Sequence, residues 1–449
     1  MYVQNEHLLT GPISRLKRPV HRSLWPRIKS ALDLSILAGV LATLGCGNST
    51  LLDSAGDARP TLGSSVVGFD RDATYYENTD NDLLELAQTV DLSQGSKRMV
   101  GSISGPNDTD VFNLGPVSPG DHITVVMETD ETLDGAIALL DQDGTAWLVD
   151  DHRNVYLGRA EPFIDVVVQR TATACHVAVS ATPGYSSDGD YTLIATKQSA
   201  QSLPERHPDT VLLDFDGGRD IRVAGRPTVN VPPFDAEAIS AAFADDATTI
   251  ANLVTQKVRT DYADLNVTIL STSEGDEFDG TMTRVFFGTF DADLLGIAQG
   301  VDEFNSFKTQ SAMVFTDTFR AFAPLAPSVD EISQAIANVA SHEIGHLLGL
   351  VHTADPNGLM DVTASLAELL SDQNFRRSPI HQDVFPLGYQ DEFQYLLDSV
   401  GASPTAEFST KPTADREPVH KQPIIKQTPA RQGLRLGTCD LCRESEPRP

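Results

Sequence analysis

Short apolar runs separated by turn-forming residues dominate residues 95–197. The runs alternate apolar and polar positions or are rich in β-branched residues, as in "HITVVME", "GAIALLD", "FIDVVVQ", "CHVAVSA" and "YTLIAT". Gly, Pro, Asn and Asp recur between them, as in "SGPNDTD" and "TPGYSSDGD". A period of two predicts β-strands, and these residue types favour turns. Regularly spaced short strands predict an all-β sandwich, which we assign to residues 71–200.

After residue 203 the pattern changes to mixed α/β, and we assign residues 203–403 to a second domain. The segments "TVLLDFDGG", "NVTIL", "TRVFFGT" and "SAMVFTD" are predicted strands. Residues 238–265 are predicted to be helical, because apolar residues recur there at helical spacing. A second helix is predicted from Ser328 to Gly349, since Ser328 and Glu331 have the spacing of a capping box.

The two ends of the chain differ from the middle. "SRLKRPVHRSLWPRIKS" precedes the apolar run "LSILAGVLATLGCG", an order typical of export signals, and we assign residues 1–46 to such a signal. Around Cys46 the sequence resembles the lipobox of bacterial lipoproteins, which predicts lipidation of this cysteine. Residues 47–70 are polar and rich in Gly and Ser, typical of a linker. Residues 404–449 lack apolar periodicity and are predicted to be a disordered tail.

The net charge of −30 excludes some classes of partner. Basic residues concentrate at the two ends, so the middle of the chain is more acidic than the total indicates. An acidic body repels nucleic acid and anionic membranes, so we expect no nucleic-acid partner and membrane contact only through a lipid on Cys46. We predict a secreted or cell-surface protein. The sequence gives no prediction of the oligomeric state.

The segment "SHEIGHLLGLVHT" contains a set of metal-ligand residues. His342 and His346 are four residues apart, which places both imidazoles on one face of the predicted helix. Gly349 lets the chain turn after the helix, and His352 follows as a third ligand. Three protein ligands leave one position on Zn²⁺ for water, and Glu343 is the predicted general base beside it. Surface histidines four residues apart are common, but the full HExxHxxGxxH spacing is rare by chance.

This segment resembles the zinc-binding motif of the metzincin peptidases. Met360 in "DPNGLMD" lies eight residues after His352, and this short spacing is similar to the Met-turn of the matrixin branch. The resemblance implies a catalytic domain with a mixed twisted sheet, a long zinc-binding helix and Met360 below the metal. It also implies that "SAMVFTD", residues 311–317, is the edge strand that pairs with an extended substrate.

Some matrixin features are not recognisable in the sequence. Val362 replaces the tyrosine that some relatives have two residues after the methionine, and no cysteine-switch motif precedes the catalytic domain. Asp302, Glu303, Asn305 and Asp317 are calcium candidates, but an ordinary solvated loop is the preferred interpretation. His381 is predicted to be a loop histidine, with substrate contact as the alternative.

The predicted sandwich resembles the bacterial pre-peptidase C-terminal type of domain. The resemblance is carried by "GSISGPNDTDVFNL", "PGDHITVVME", "LDGAIALLDQDG" and "GDYTLIAT". Ca²⁺ is a candidate ligand for the aspartates of its turns, but turn formation alone is the preferred interpretation of these residues. They are Asp108, Asp110, Asp141, Asp143 and Asp190.

The remaining cysteines give no firm assignment. Cys439 and Cys442 form a single CxxC pair, which could be a redox pair, a half-site completed by another molecule, or a pair without function.

The sequence therefore predicts a multidomain zinc endopeptidase acting on peptide bonds of extracellular proteins, with a protein or peptide as substrate. Two alternatives remain open at this stage. One is a catalytically silent, zinc-containing cell-surface binding protein. The other is a zinc amidohydrolase that acts on a non-protein amide.

Overall fold

The computed structural model describes residues 74–404, except residues 79, 94, 131, 152–160, 185–186 and 200. The predicted export signal, the linker and nearly all of the predicted tail lie outside the described residues, as do Cys46, Cys439 and Cys442. In the described part of the chain, no helix is long and apolar enough to cross a membrane.

The first half of the described chain is all-β, and its strands form two five-stranded sheets. One sheet has the order β1-β3-β10-β5-β8 and the other has the order β2-β4-β9-β6-β7. The strands are β1 (Thr74–Tyr76), β2 (Gln88–Thr89), β3 (Ser96–Ile103), β4 (Thr109–Asn113), β5 (His122–Thr129), β6 (Gly135–Asp141), β7 (Ala146–Asp150), β8 (Phe163–Val167), β9 (Cys175–Ala181) and β10 (Gly189–Gln198). The predicted all-β architecture is confirmed.

The second sheet of this sandwich is buried on both faces. Along β6, Ile137 and Leu139 point into the sandwich core, whereas Ala138 and Leu140 belong to a separate apolar cluster on the outer face. We call this outer face the covered face; its residues are Val111, Ala136, Ala138, Leu140, Val149 and Ala178. Burial on both sides explains why β6 is a nearly continuous apolar run, and every residue of β9 is buried as well.

The second half is an α/β unit built on a five-stranded sheet of order β14-β11-β15-β17-β16. The first four strands run parallel and β16 runs antiparallel at the edge. The strands of this half are β11 (Asp209–Asp214), β12 (Gly218–Ile221), β13 (Val229–Val231), β14 (Val267–Ser271), β15 (Thr283–Phe287), β16 (Gly296–Ala298), β17 (Ser311–Val314), β18 (Arg377–Pro379) and β19 (Tyr389–Asp391). The predicted mixed sheet is confirmed.

Four α-helices accompany this sheet in the described residues: α1 (Ala247–Asp261), α2 (Val329–Leu347), α3 (Leu366–Leu369) and α4 (Glu392–Ser399). Short 3₁₀ segments occur at Leu84–Leu86, Ala236–Ala238, Ala241–Phe243, Thr272–Glu274, Glu303–Asn305 and Thr316–Leu325.

Two sequence predictions in this half are wrong. The helix predicted over residues 238–265 begins only at Ala247, because Asp235 and Ser240 cap two separate 3₁₀ turns before it. The segment "SAMVFTD" is not the sheet edge, since β17 pairs with β15 on one side and with β16 on the other. The edge is the three-residue strand β16.

Helix α2 is the central element of the core. Every residue from Ile332 to Leu347 is buried, between α1 on one side and the sheet on the other. The predicted capping box is present: Glu331 N–H donates to Ser328 Oγ, and the Ser328 N–H donates to Glu331 Oε2. The capping box therefore satisfies backbone N–H groups at the N-terminus of α2. This matters because the rest of the helix has little contact with water.

We expect Ser328→Ala to lower the free energy of unfolding by about 1 kcal/mol, because the Glu331 N–H loses its acceptor. Urea denaturation measures this change, and Ser328→Thr is the control because it keeps a hydroxyl acceptor. Equal stability of the Ala and Thr variants would contradict the proposed role of the cap.

Candidate metal centre

The C-terminus of α2 is closed by a Schellman motif. Gly349 has φ of 102°, its N–H donates to His346 O, and the Leu350 N–H donates to Gly345 O. A Cβ at Gly349 would lie 2.7 Å from Tyr395 Oη and 2.8 Å from Asp302 O. Glycine is therefore required here both by the left-handed backbone and by space. The turn sends the chain directly back towards the last two turns of the helix.

This reversal brings three histidine side chains together. His346 Nε2 lies 3.1 Å from His342 Nε2 and 3.0 Å from His352 Nε2, and all three side chains are buried. His342 Nδ1 is 2.7 Å from Leu359 O, and His346 Nδ1 is 2.8 Å from Leu350 O. A carbonyl only accepts, so each Nδ1 carries its proton and each Nε2 presents a lone pair to the common centre.

Lone pairs that converge in this way need a cation between them. Burial lowers the pKa of His342 well below its usual value, helped by His346, and burial lowers the pKa of His346 to about 4. The rings of His342 and His346 are therefore neutral, as metal ligands must be. Three nitrogens at about 2.0 to 2.1 Å from Zn²⁺ in tetrahedral geometry would be about 3.3 to 3.4 Å apart, close to the observed separations. The donor set fits zinc.

The loop that carries His352 is held on both sides. The Thr353 N–H donates to Met360 O, and the His381 N–H donates to His352 O. Thr353 Oγ1 donates to Glu392 Oε1 at 3.1 Å, and burial raises the pKa of Glu392 to about 8. The neighbouring Val351 is held through its backbone by the side chain of Gln390, with both hydrogen bonds 2.8 Å long.

Met360 lies directly beneath the last turns of α2. A Cβ on Gly345 would be 2.5 Å from Met360 Sδ, so Gly345 permits the close approach of the methionine to the helix. Met360 is fully buried. Met360 was predicted from the sequence but Gly345 was not, although a glycine inside a helix is in itself an indication of close packing.

Glu343 projects from α2 beside the edge strand β16. A Cβ on Gly296 would lie 2.4 Å from Glu343 Oε1 and 2.8 Å from Val339 Cγ1. The carboxylate of Glu343 is fully buried and lies against the backbone of the edge strand β16. Gly296 was not recognised from the sequence, because no motif connects "GIAQG" with the helix.

Asp302 fixes the end of α2 from the opposite side. Its N–H donates to His346 O, and its carboxylate accepts from the Ser306 and Phe307 N–H groups and from Gln310 Nε2. Burial raises the pKa of Asp302 to about 6 in spite of these hydrogen bonds. The preferred interpretation of this segment as a solvated loop is wrong for Asp302 and Asn305, which are both buried. Asp317 lies apart from them, at the start of a 3₁₀ segment.

The aspartates singled out in the sandwich separate into two groups. Asp108 and Asp110 lie together with Asp82, which the sequence analysis had not included. Burial raises the pKa of Asp110 to about 8, although Tyr191 Oη donates to it. Asp141 caps its own turn by accepting from the Asp143 and Thr145 N–H groups, as expected for a turn former. Asp190 lies in β10 and not in a turn.

The other histidine and cysteine candidates lie outside the cluster. His381 contacts the site through its backbone, and its Nδ1 accepts from the Asp383 N–H. Cys175 is buried in β9, where burial raises the pKa of its thiol. The sandwich strand therefore holds this cysteine away from the three histidines.

Comparison with known proteins supports a metallopeptidase. Residues 230–377 match the model of the matrixin family of peptidases. This segment is matrixin-like, and the metzincin resemblance predicted from the histidine motif is confirmed. The family implies zinc, in agreement with the donor set described above. No curated protein sequence matches the chain.

Three solved structures share local similarity with the chain. Archaemetzincin from Methanopyrus kandleri is 16% identical, with 38% of this chain and 89% of that chain covered and a TM-score of 0.23. The pre-peptidase C-terminal domain of the Bacillus anthracis collagenase is 15% identical, with 25% and 94% covered and a TM-score of 0.19. The periplasmic lysozyme inhibitor PliG from Aeromonas hydrophila is 11% identical, with 28% and 100% covered and a TM-score of 0.21. Likeness at this level carries no functional information, so the family match is the comparison that bears on the site.

A partly buried carboxylate of α1 anchors α2 next to the first histidine, and its titration is testable. Ser341 Oγ donates to Asp261 Oδ2 at 2.6 Å, and burial raises the pKa of Asp261 to about 7. The unfolded chain ionises this group near pH 4, so its contribution to stability is full below pH 4 and is lost as the pH rises to about 7.

We therefore expect Asp261→Asn, which keeps an oxygen acceptor for Ser341, to gain stability over the wild type as the pH rises from 4 to 7. The gain is at most about 1.4 kcal/mol per pH unit. Urea denaturation across this range measures it, with Asp264→Asn on the exposed surface as the control. Parallel stability curves for wild type and Asp261→Asn would refute the assignment.

Proposed function

We propose that this chain is a zinc-dependent endopeptidase that hydrolyses peptide bonds of extracellular proteins. The observation that carries the proposal is the convergence of three buried imidazoles close to Glu343, which lies against the edge strand β16. A binding protein that merely holds zinc has no need of a carboxylate at this position.

His342, His346 and His352 would hold the ion through Nε2, and their Nδ1 hydrogen bonds to backbone carbonyls fix two of the rings in orientation. Zinc bound there supplies a Lewis acid that lowers the pKa of water and polarises the scissile carbonyl. Glu343 takes the proton from the attacking water and returns it to the leaving amine. The rigid burial of α2 keeps these groups in place during both proton transfers.

Among the described residues, β16 pairs only with β17, and its other edge gives the substrate a place to bind. Gln299 N–H donates to Ser311 O, and Phe315 N–H donates to Leu295 O, so the backbone groups of Gly296 and Ala298 point away from β17. An extended peptide can pair with these groups and add a strand to the sheet. The peptide would then pass directly by Glu343, which supports peptides over small non-protein amides as substrates.

We further propose that the protein is exported and acts at the cell surface or outside the cell. The proposal rests on the order of basic, apolar and small residues in 1–46 and on the lipobox-like sequence at Cys46. Mass spectrometry of the N-terminal peptide from membrane and culture-medium fractions tests lipidation of Cys46 against simple secretion.

We expect Glu343→Ala to lower kcat for peptide cleavage by about 10²- to 10⁴-fold, since the general base is lost. Zinc content should stay at the wild-type level, because Glu343 is not a ligand. A random peptide library and metal analysis give the two readouts, and His352→Ala is the matched variant that should lose zinc. Zinc in the wild type without cleavage of any peptide would favour the silent binding protein.

Pairing with β16 can be tested on the substrate. We expect N-methylation of one peptide nitrogen near the cleaved bond to lower kcat/KM by 10-fold or more, since it removes a hydrogen bond to the edge strand and introduces a clash. A scan of N-methylated versions of one good substrate should show alternate sensitive and insensitive positions, following the two-residue period of a strand. Uniform sensitivity would indicate binding without strand pairing.

A further inference from the structure

The sandwich and the α/β unit of residues 203–403, called the peptidase unit below, share one apolar cluster in addition to their own cores. The covered face of the sandwich packs against Val351, Ile380, Val384, Phe385 and Leu387 of the peptidase unit. Ala138, Leu140 and Ala178 on that face have no exposed surface. An independent binding module would keep this face in contact with solvent or a partner, whereas here it lies against the segment that follows the metal site.

A ladder of backbone hydrogen bonds leads from the sandwich to the third histidine. Gly144 O, in the β6–β7 turn, accepts from the Tyr389 N–H at the start of β19. β19 pairs with β18, and Ile380 at the end of β18 pairs in turn with Thr353. The His381 N–H then donates to His352 O at 2.9 Å. The sandwich turn, the β18–β19 hairpin and the His352 loop thus form neighbouring rows of one small ladder.

Arg377 locks the first of these contacts. Its Nε donates to Thr145 Oγ1 and its guanidinium donates to Asp143 O at 2.7 Å, so one side chain spans both units. The same guanidinium lies over the ring of Tyr389, 4.1 Å from the ring centroid. Gln390 follows Tyr389 in β19. Its side chain forms two hydrogen bonds with the backbone of Val351, the residue before His352.

A second contact ties the sandwich to the far end of the same unit. Arg170 Nε lies 3.1 Å from Asp398 Oδ2, and Gln169 Nε2 donates to Asp398 O. Both acceptors belong to α4, which begins at Glu392 immediately after β19. The hairpin and the helix that follows it are therefore held by the sandwich at two separate points.

We propose that the sandwich is a positioning element of the metal centre, which holds the third histidine in place through the β18–β19 hairpin. The inference rests on the proposed function, because it assigns His352 to the metal. His342 and His346 are fixed by the buried helix α2. His352 lies in a loop. The backbone hydrogen bonds that connect this loop to the β18–β19 hairpin continue from the hairpin to the β6–β7 turn of the sandwich. Loss of the contact between the sandwich and the hairpin should therefore make His352 more mobile. The positions of His342 and His346 on α2 should not change.

The test uses the full chain with one lysine on each of two sheets. Ala178→Lys puts an ammonium group into the covered face, where it must displace the hairpin to reach water. Thr124→Lys is the matched control, since Thr124 is half-buried on the outer face of the other sheet, beside Asp165. Hydrogen exchange of residues 350–354 and 376–391, zinc affinity by competition with a chelating indicator, and kcat and KM are measured for both.

We expect Ala178→Lys to raise exchange in both segments, to weaken zinc binding by about 10- to 100-fold, and to lower kcat more than it changes KM at limiting zinc. Thr124→Lys should match the wild type in all three. Faster exchange in 376–391 with unchanged exchange in 350–354 and unchanged zinc affinity would overturn the proposal, as would an Ala178→Lys protein that matches the wild type throughout.

If Ala178→Lys does not fold, the same measurements on Arg377→Ala decide the question, with partial recovery expected in Arg377→Lys because it keeps the hydrogen bond to Asp143 O. The exchange and zinc measurements need no peptidase activity. Absence of cleavage by the wild type would therefore remove the proposed function and still leave the positioning role supported or refuted.

Discussion

The chain reversal at Gly349 is the constraint on which the metal centre depends. Two histidines one helical turn apart supply two ligands from the same face of α2. The third ligand must come from outside the helix, so the chain has to reverse its direction within a few residues. Only a residue that accepts a φ of 102° with Tyr395 and Asp302 pressed against it can make this turn. Three features hold this turn in place. They are the burial of α2, the hydrogen bonds of Asp302 and the backbone hydrogen bonds of the His352 loop.

Buried carboxylates surround the site at a short distance, and their raised pKa values have a common cause. Asp261, Asp302 and Glu392 all lie where burial opposes ionisation more than their hydrogen bonds favour it. Asp261 and Glu392 accept hydrogen bonds from Ser341 and Thr353, which are each next to a histidine of the cluster, and the Asp302 N–H donates to His346 O. Such groups fix orientation at some expense in stability. These three carboxylates therefore contribute to the position of the segments that carry the histidines.

Local patterns in the sequence were enough to predict the elements that carry the chemistry. The capping box at Ser328, the helix to Gly349 and the histidine spacing depend on residues close together in the chain, so the pattern specifies them directly. The edge of the sheet was misplaced, because strand order depends on pairing between distant segments and β16 has only three residues. Gly296 and Gln390 were missed for the same reason, since their partners Glu343 and Val351 lie about 40 or more residues away. The covered face could not be recognised either, because a strand buried on both sides has no alternation to mark its second face.

The covered face also has a consequence for the order in which the protein can be completed. The sandwich is synthesised first, and its strands can pair before the peptidase unit exists. The segment that covers its outer face ends near Leu387, about 190 residues after the last sandwich strand, an interval on the order of 10 to 40 s at ordinary rates of translation. During this interval a nascent sandwich would present an uncovered apolar sheet face to its surroundings. The covered face can therefore associate with other molecules during synthesis. This risk ends only when the peptidase unit has folded onto the sandwich.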